Sequence, residues 1–231
     1  MPWKLSPSSL ALYNECPRCF WLHLVKKVKR PTPIFPSLPS GIDALLKRYF
    51  DSYAIRNSLP PELNPLKDKY SLFSDIETLR SWRAPNGGLS WTDADGNVLR
   101  GAVDNILVRK DDDRLVVLDY KTMGFERENT YEKMAQYYQD QISIYTFLLQ
   151  KQGYKTENYA YLLFYSPHSV QSDGKIVFKT YIVKCNVVPE DGLKLFKSAI
   201  KILNGAMPDS NEDCEFCRWA SEYKHAVSSS I

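Results

Sequence analysis

The chain has 231 residues, 44% of them hydrophobic and 25% charged, with a formal net charge of +3. Those proportions belong to a globular protein with a packed core and exclude global disorder. The slight basicity permits nucleic-acid binding without arguing for it, so a local groove must carry that case.

In chain order, Ser6 or Ser8 caps a first helix predicted to run to about Leu24, with Leu10, Tyr13, Pro17 and Phe20 near one side and Cys16 and Cys19 beside them. A basic run, KKVKR (26–30), leads into the Pro-rich PTPIFPSLPS (31–40); such runs are usually solvated surface. Gly41 to about Ile55 reads as a second helix, with Ile42, Leu45, Leu46, Tyr49 and Phe50 at helical spacing. Residues 57–90 are broken by Pro and Gly and read as an insertion, with at most a short helix near 75–82.

From Leu89 the period becomes two. A strand near 89–93, a turn at Asp95-Gly96 and a strand near 98–109 form a hairpin. KDDD (110–113) is a turn and RLVVLDYK (114–121) the next strand. Residues 129–152 are the longest predicted helix, ended by Gly153. ENYAYLLFYS (157–166) is a strand buried on both faces, and KIVFKTYIVK (175–184) pairs with it. Pro189–Leu203 is an amphipathic helix closed by Asn204-Gly205, and Cys214 opens a short final segment. This order predicts an α/β sandwich with a mixed sheet.

A hairpin centred on KDDD pairs residues whose numbers sum to 223, which sets Asp104 opposite Asp119. Two carboxylates facing each other among Ala102, Ile106, Leu115 and Val117 repel at a cost, unless a divalent cation is shared between them. Lys121, two residues after Asp119, falls on the same strand face, where its ammonium can reach a phosphate oxygen or the attacking water. Taken alone, an Asp-x-Lys on a strand is most often a solvated surface pair, and a one-residue slip sends one aspartate to the other face.

GAVDNILV (101–108), LDYK (118–121) and QISIY (141–145) follow one another in the order of three motifs, and together they resemble the RecB-like PD-(D/E)XK nucleases. SPSSLALYNECPRCFWL (6–22) resembles the N-terminal helix of that family's CRISPR-associated and helicase-linked members. The resemblance implies a restriction-endonuclease-like core, a mixed sheet flanked by helices, spanning one domain. Its N-terminal helices occupy 1–56, the insertion 57–90, the catalytic core 91–205 and the C-terminal cysteine segment 206–231.

It also implies that Asp104, Asp119 and the backbone carbonyl of Tyr120 bind Mg²⁺ or Mn²⁺, that Lys121 is the catalytic lysine, and that Gln141 and Tyr145 support the site. The family often places a His or Glu ligand on the preceding helix. SGIDALLKRYF (40–50) has no His, and Asp43 stands as the substitute or as a first-turn acid suited to the helix dipole.

Cys16/Cys19 and Cys214/Cys217 are two C-x-x-C pairs at opposite ends of the chain, able to supply four thiolates to one centre. Relatives with an iron–sulfur cluster clasp their ends this way, so the resemblance implies a 4Fe–4S cluster. The split of two and two departs from their one and three and leaves Zn²⁺ as the alternative. Cys185 reads as a buried apolar residue.

The expected function is a metal-dependent deoxyribonuclease, exonuclease-like on single-stranded ends, in repair, recombination or CRISPR-type defence. A catalytically silent DNA-binding or scaffold module is the alternative. DNA is the expected partner. No helicase motif is present, so unwinding calls for a helicase or another protein of a nuclease complex. No apolar run approaches a membrane span and MPWKLSPSSL lacks a secretory signal, which makes the expected location cytoplasmic.

Overall fold

The computed structural model describes residues 2–31, 37–84, 88–124 and 130–228. The expected helix start at residue 129 and residues 32–36 of the Pro-rich stretch lie outside them. In chain order the elements are β1 (Lys4–Leu5), α1 (Pro7–Glu15), α2 (Pro17–Val25), α3 (Ser37–Ile55), a 3₁₀ turn (Pro61–Leu66), β2 (Tyr70–Leu72), α4 (Ile76–Arg83), β3 (Leu89–Thr92), β4 (Val98–Gly101), β5 (Asn105–Arg109), β6 (Leu115–Thr122), α5 (Tyr131–Gln136), α6 (Gln139–Lys151), β7 (Tyr159–Val170), β8 (Ile176–Asn186), α7 (Pro189–Leu203) and α8 (Glu215–Ser228).

The main sheet has the order β2-β5-β6-β7-β8, with β6 and β7 parallel and the other neighbours antiparallel. A smaller sheet, β1-β4-β3, stands beside it. Successive side chains of a strand point to opposite faces, and β6 and β7 serve a core on each. Leu115, Val117, Leu162 and Phe164 meet α5, α6 and α7 on one side. Val116, Leu118, Leu163 and Tyr165 meet Phe50 and Ala54 of α3 on the other. The α/β sandwich with a mixed sheet is thus the observed fold. Helix α6 is buried continuously from Ile142 to Leu149 because sheet, α7 and the small sheet all pack on it. Gly192 permits the close approach of α7: a Cβ there lies 3.1–3.2 Å from Ile144.

Several elements differ from the sequence reading. The first helix is two, because Cys16 is extended (φ −161°, ψ 108°) between α1 and α2 and Pro17 starts a new helix. Ser6, not Ser8, caps α1. The 98–109 strand is also two: β4 belongs to the small sheet and β5 to the large one, with residues 102–104 crossing between them. The long helix breaks at Tyr137-Tyr138 into α5 and α6. Residues 57–90 are less of an insertion than expected, since Tyr70–Leu72 forms an edge of the main sheet against β5. The last segment is a 14-residue helix, α8. Among the described residues no helix is long and apolar enough to cross a membrane.

Candidate active site and cysteine cluster

The β5–β6 register pairs Asn105 with Leu118 and Ile106 with Val117, the sum of 223 read from the turn. Asp104 is one residue beyond that ladder, where the chain leaves for the small sheet. Its Oδ2 accepts a hydrogen bond from the backbone N–H of Tyr120 at 3.0 Å, which ties it to the strand that carries Asp119 and Lys121. Arg83 of α4 donates from Nε to the Asp104 backbone carbonyl at 2.7 Å and from Nη1 to buried Asp51 of α3 at 2.7 Å.

Asp119 is 1% exposed. Burial, then the negative charge of Asp104, pushes its carboxyl up to about 7 despite Lys121 and Lys47 nearby. Lys121 Nζ lies 2.5 Å from Asp119 Oδ2, an ion pair that works against the upward shift. A buried carboxylate facing a second one is a donor set that suits a divalent cation.

Lys121 Nζ also donates to Gln141 Oε1 at 2.9 Å and lies 4.2 Å from the centre of the Tyr138 ring. Gln141 Nε2 donates in turn to the Tyr145 hydroxyl at 2.8 Å. Gln141 and Tyr145 are one turn apart on α6 and share a face. Burial first, and then Asp119, holds the Tyr145 phenol well above its ordinary range, so it stays protonated. Tyr145 lies against Gly101, where a Cβ meets its ring carbons at 2.7 and 2.8 Å; glycine is the residue that fits. That contact gives the glycine of the GAVD motif a structural reason.

Lys47, which sequence reasoning missed, bridges two acids. Its Nζ is 2.8 Å from Asp43 Oδ2 and 3.0 Å from Asp104 Oδ1. Asp43 therefore faces the site, engaged by a lysine one turn away on α3. The i,i+4 spacing of Asp43 and Lys47 was the available signal. Nothing in the sequence flagged Arg83 or Asp51. A 280 Å³ cleft lined by Ser6, Pro7, Arg100 and Gly101 and a 510 Å³ cleft lined by Asn14, Tyr137, Tyr138 and Asp140 both reach Gln141.

The sequence profile of the PD-(D/E)XK nuclease superfamily matches residues 40–221, more than half of the chain. The chain belongs to the PD-(D/E)XK nuclease superfamily. Membership makes nuclease the class of activity, with divalent metals the usual cofactors and DNA the implied substrate. No curated protein sequence matches this nuclease. A solved structure, that of SSO0001, aligns with 94% of this chain and 84% of its own at 15% identity and a TM-score of 0.43.

Cys16, Cys19, Cys214 and Cys217 of the nuclease come together although about 200 residues separate the pairs. The Cys16 and Cys217 sulfurs are 3.8 Å apart, those of Cys19 and Cys214 3.6 Å, and those of Cys19 and Cys217 3.5 Å. All but Cys217 are buried. Burial raises the Cys16 thiol, but the backbone N–H groups of Cys19 and Asn211 outweigh it and bring it to about 6. Such a cluster can hold a metal ion. Cys185 is buried and apart, as expected.

Proposed function

We propose that the chain is a Mg²⁺- or Mn²⁺-dependent deoxyribonuclease that hydrolyses phosphodiester bonds, acting on single-stranded DNA ends. The observation that carries this reading is Asp119: a fully buried carboxylate, raised by its burial and by Asp104, and ion-paired with Lys121. Asp104, Asp119 and the Tyr120 carbonyl are the residues to hold the cation, with Asp43 adjoining through Lys47. When bound, the cation supplies positive charge that polarises the phosphate and makes water more acidic.

The rest follows from this chain's own groups. The Lys121 ammonium orients the attacking water and meets the negative charge that develops on the phosphate oxygens. Gln141 fixes that ammonium, and Tyr145 fixes Gln141. Tyr137 is 80% exposed beside the larger cleft, where its ring is free to stack on an unpaired base; this supports a single-stranded substrate. Arg100 and the Ser6–Ser8 end of α1 border the smaller cleft and suit phosphates. A role at DNA ends fits repair, recombination or CRISPR-type defence, with strand separation supplied by a helicase partner.

The test is cleavage of end-labelled single- and double-stranded DNA with Mg²⁺ or Mn²⁺, with and without EDTA, alongside circular single strands. Expected are metal-dependent shortening of linear single strands and resistance of circles. DNA binding without any cleavage supports the silent scaffold instead.

A further inference from the structure

The cysteine cluster carries a size constraint. All four sulfurs lie within 4.8 Å of one another, and three of the pairs are 3.5–3.8 Å apart. One tetrahedral ion with metal–sulfur bonds of about 2.3 Å sets its sulfurs about 3.8 Å from each other. In a four-iron cluster each thiolate binds a different iron of a cube that also holds four sulfides. Its cysteine sulfurs enclose eight atoms and stand correspondingly farther apart. The cage here has room for one atom. The 4Fe–4S expectation carried by the resemblance does not fit it.

We infer that Cys16, Cys19, Cys214 and Cys217 hold a single tetrahedral Zn²⁺ ion, and that Arg30 is the counter-charge of that site.

Zinc with four thiolates carries two negative charges, and the surroundings suit them. Arg30 Nη2 donates to Cys214 Sγ at 3.5 Å. The Arg30 Nε is buried without a partner, its guanidinium lies 4.4 Å from the Phe216 ring centre, and its other arm pairs with Glu15. Both cysteine pairs also sit at helix starts. Cys16 caps α2 and Cys19 is in its first turn. Cys214 immediately precedes α8, accepts from the Arg218 N–H, and Cys217 is in that helix's first turn. Two helix N-termini thus point their partial positive charge at the sulfurs. With four protein ligands no coordination position is open, which makes the ion structural. It pins α1 and α2 to α8.

The test is metal analysis of the full chain purified without oxygen from iron-replete cells. Expected are one zinc per chain, no iron, no acid-labile sulfide and no colour; cobalt exchanged for zinc gives the absorption of a tetrahedral four-sulfur site. Four irons with sulfide, one iron alone, or a folded protein without metal each overturn the zinc assignment. Cys214→Ser is expected to lose the ion, with a lowered Tm. Because that variant is liable not to fold, Arg30→Gln is the second arm. It keeps one zinc but yields it to a chelator with affinity reduced about 10-fold or more. Unchanged affinity in Arg30→Gln overturns the role of Arg30.

Discussion

The backbone N–H of Tyr120 donates to Asp104 Oδ2 at 3.0 Å, so the carboxylate that follows the broken strand is held by the backbone between Asp119 and Lys121. A single main-chain donor thereby sets the two acids and the lysine in register. Four predictions start from this arrangement.

Lys121→Ala is expected to keep cation and DNA binding but to lose cleavage by about 10²–10³, the usual cost of removing one positioned charge from the transition state. Lys121→Arg fails as well, because a planar guanidinium does not reproduce a compact ammonium within reach of Gln141 and the Tyr138 ring. Asp119→Ala differs in kind: it removes a proposed ligand, and added Mn²⁺ restores part of its activity. Single-turnover cleavage with cation titration separates the cases. Wild-type rates in Lys121→Ala contradict the assignment.

The Asp119 carboxyl, raised from 3.8 to about 7 in the fold, makes metal-free stability depend on pH. Between about pH 4 and 7 the folded protein keeps a proton that the unfolded chain has lost. Stability therefore falls as pH rises through that window and levels off above it. Asp119→Asn should flatten this part of the profile, and divalent cations should bind more weakly below about pH 7, where they compete with the proton. Denaturant unfolding of the metal-free protein from pH 4.5 to 8 measures the slope; a wild-type slope in Asp119→Asn assigns it to another group.

Gly101→Ala is expected to destabilise the protein by about 1–3 kcal/mol, the range for overpacking, because the new methyl meets the Tyr145 ring below 3 Å. Cleavage should fall with it, as the displaced phenol lets go of Gln141 and hence of Lys121. Tyr145→Leu combined with Gly101→Ala relieves the clash. Thermal unfolding should recover while cleavage stays low.

Arg83 and Asp51 form a largely buried pair at 2.7 Å. Arg83→Leu should cost up to about 3–5 kcal/mol, since buried Asp51 is left with only the longer 3.8 Å contact to Arg80. Arg83→Leu with Asp51→Leu should regain much of that stability. Cleavage should remain impaired in both, because the Asp104 carbonyl has lost its donor. Full activity in the double variant would show that Arg83 serves the fold alone.

Much of this was legible in the sequence, for reasons tied to particular residues. The KDDD turn sets the β5–β6 register, so the pairing sum of 223 could be read from it. Pro189 and Asn204 punctuate α7, and its limits came out as expected. The break between β4 and β5 was hidden because Asp104-Asn105, a turn-favouring pair, sits inside an apolar run that reads as one continuous strand. β2 was hidden because it is only three residues long and lies in a Pro-rich stretch. At the site, Asp104, Asp119, Lys121, Gln141 and Tyr145 came from motif order. Lys47 offered only its i,i+4 spacing to Asp43 as a signal; Arg83 acts across elements distant in sequence, and local spacing cannot reveal its contacts.

The thiol cluster also fixes an order of events. Cys16 and Cys19 leave the ribosome early, but their partners Cys214 and Cys217 are made about 200 residues later, after every strand of the main sheet. The clasp can close only on a chain that has been translated past α7. Closure of the clasp thereby marks a chain whose nuclease core has been completely synthesised.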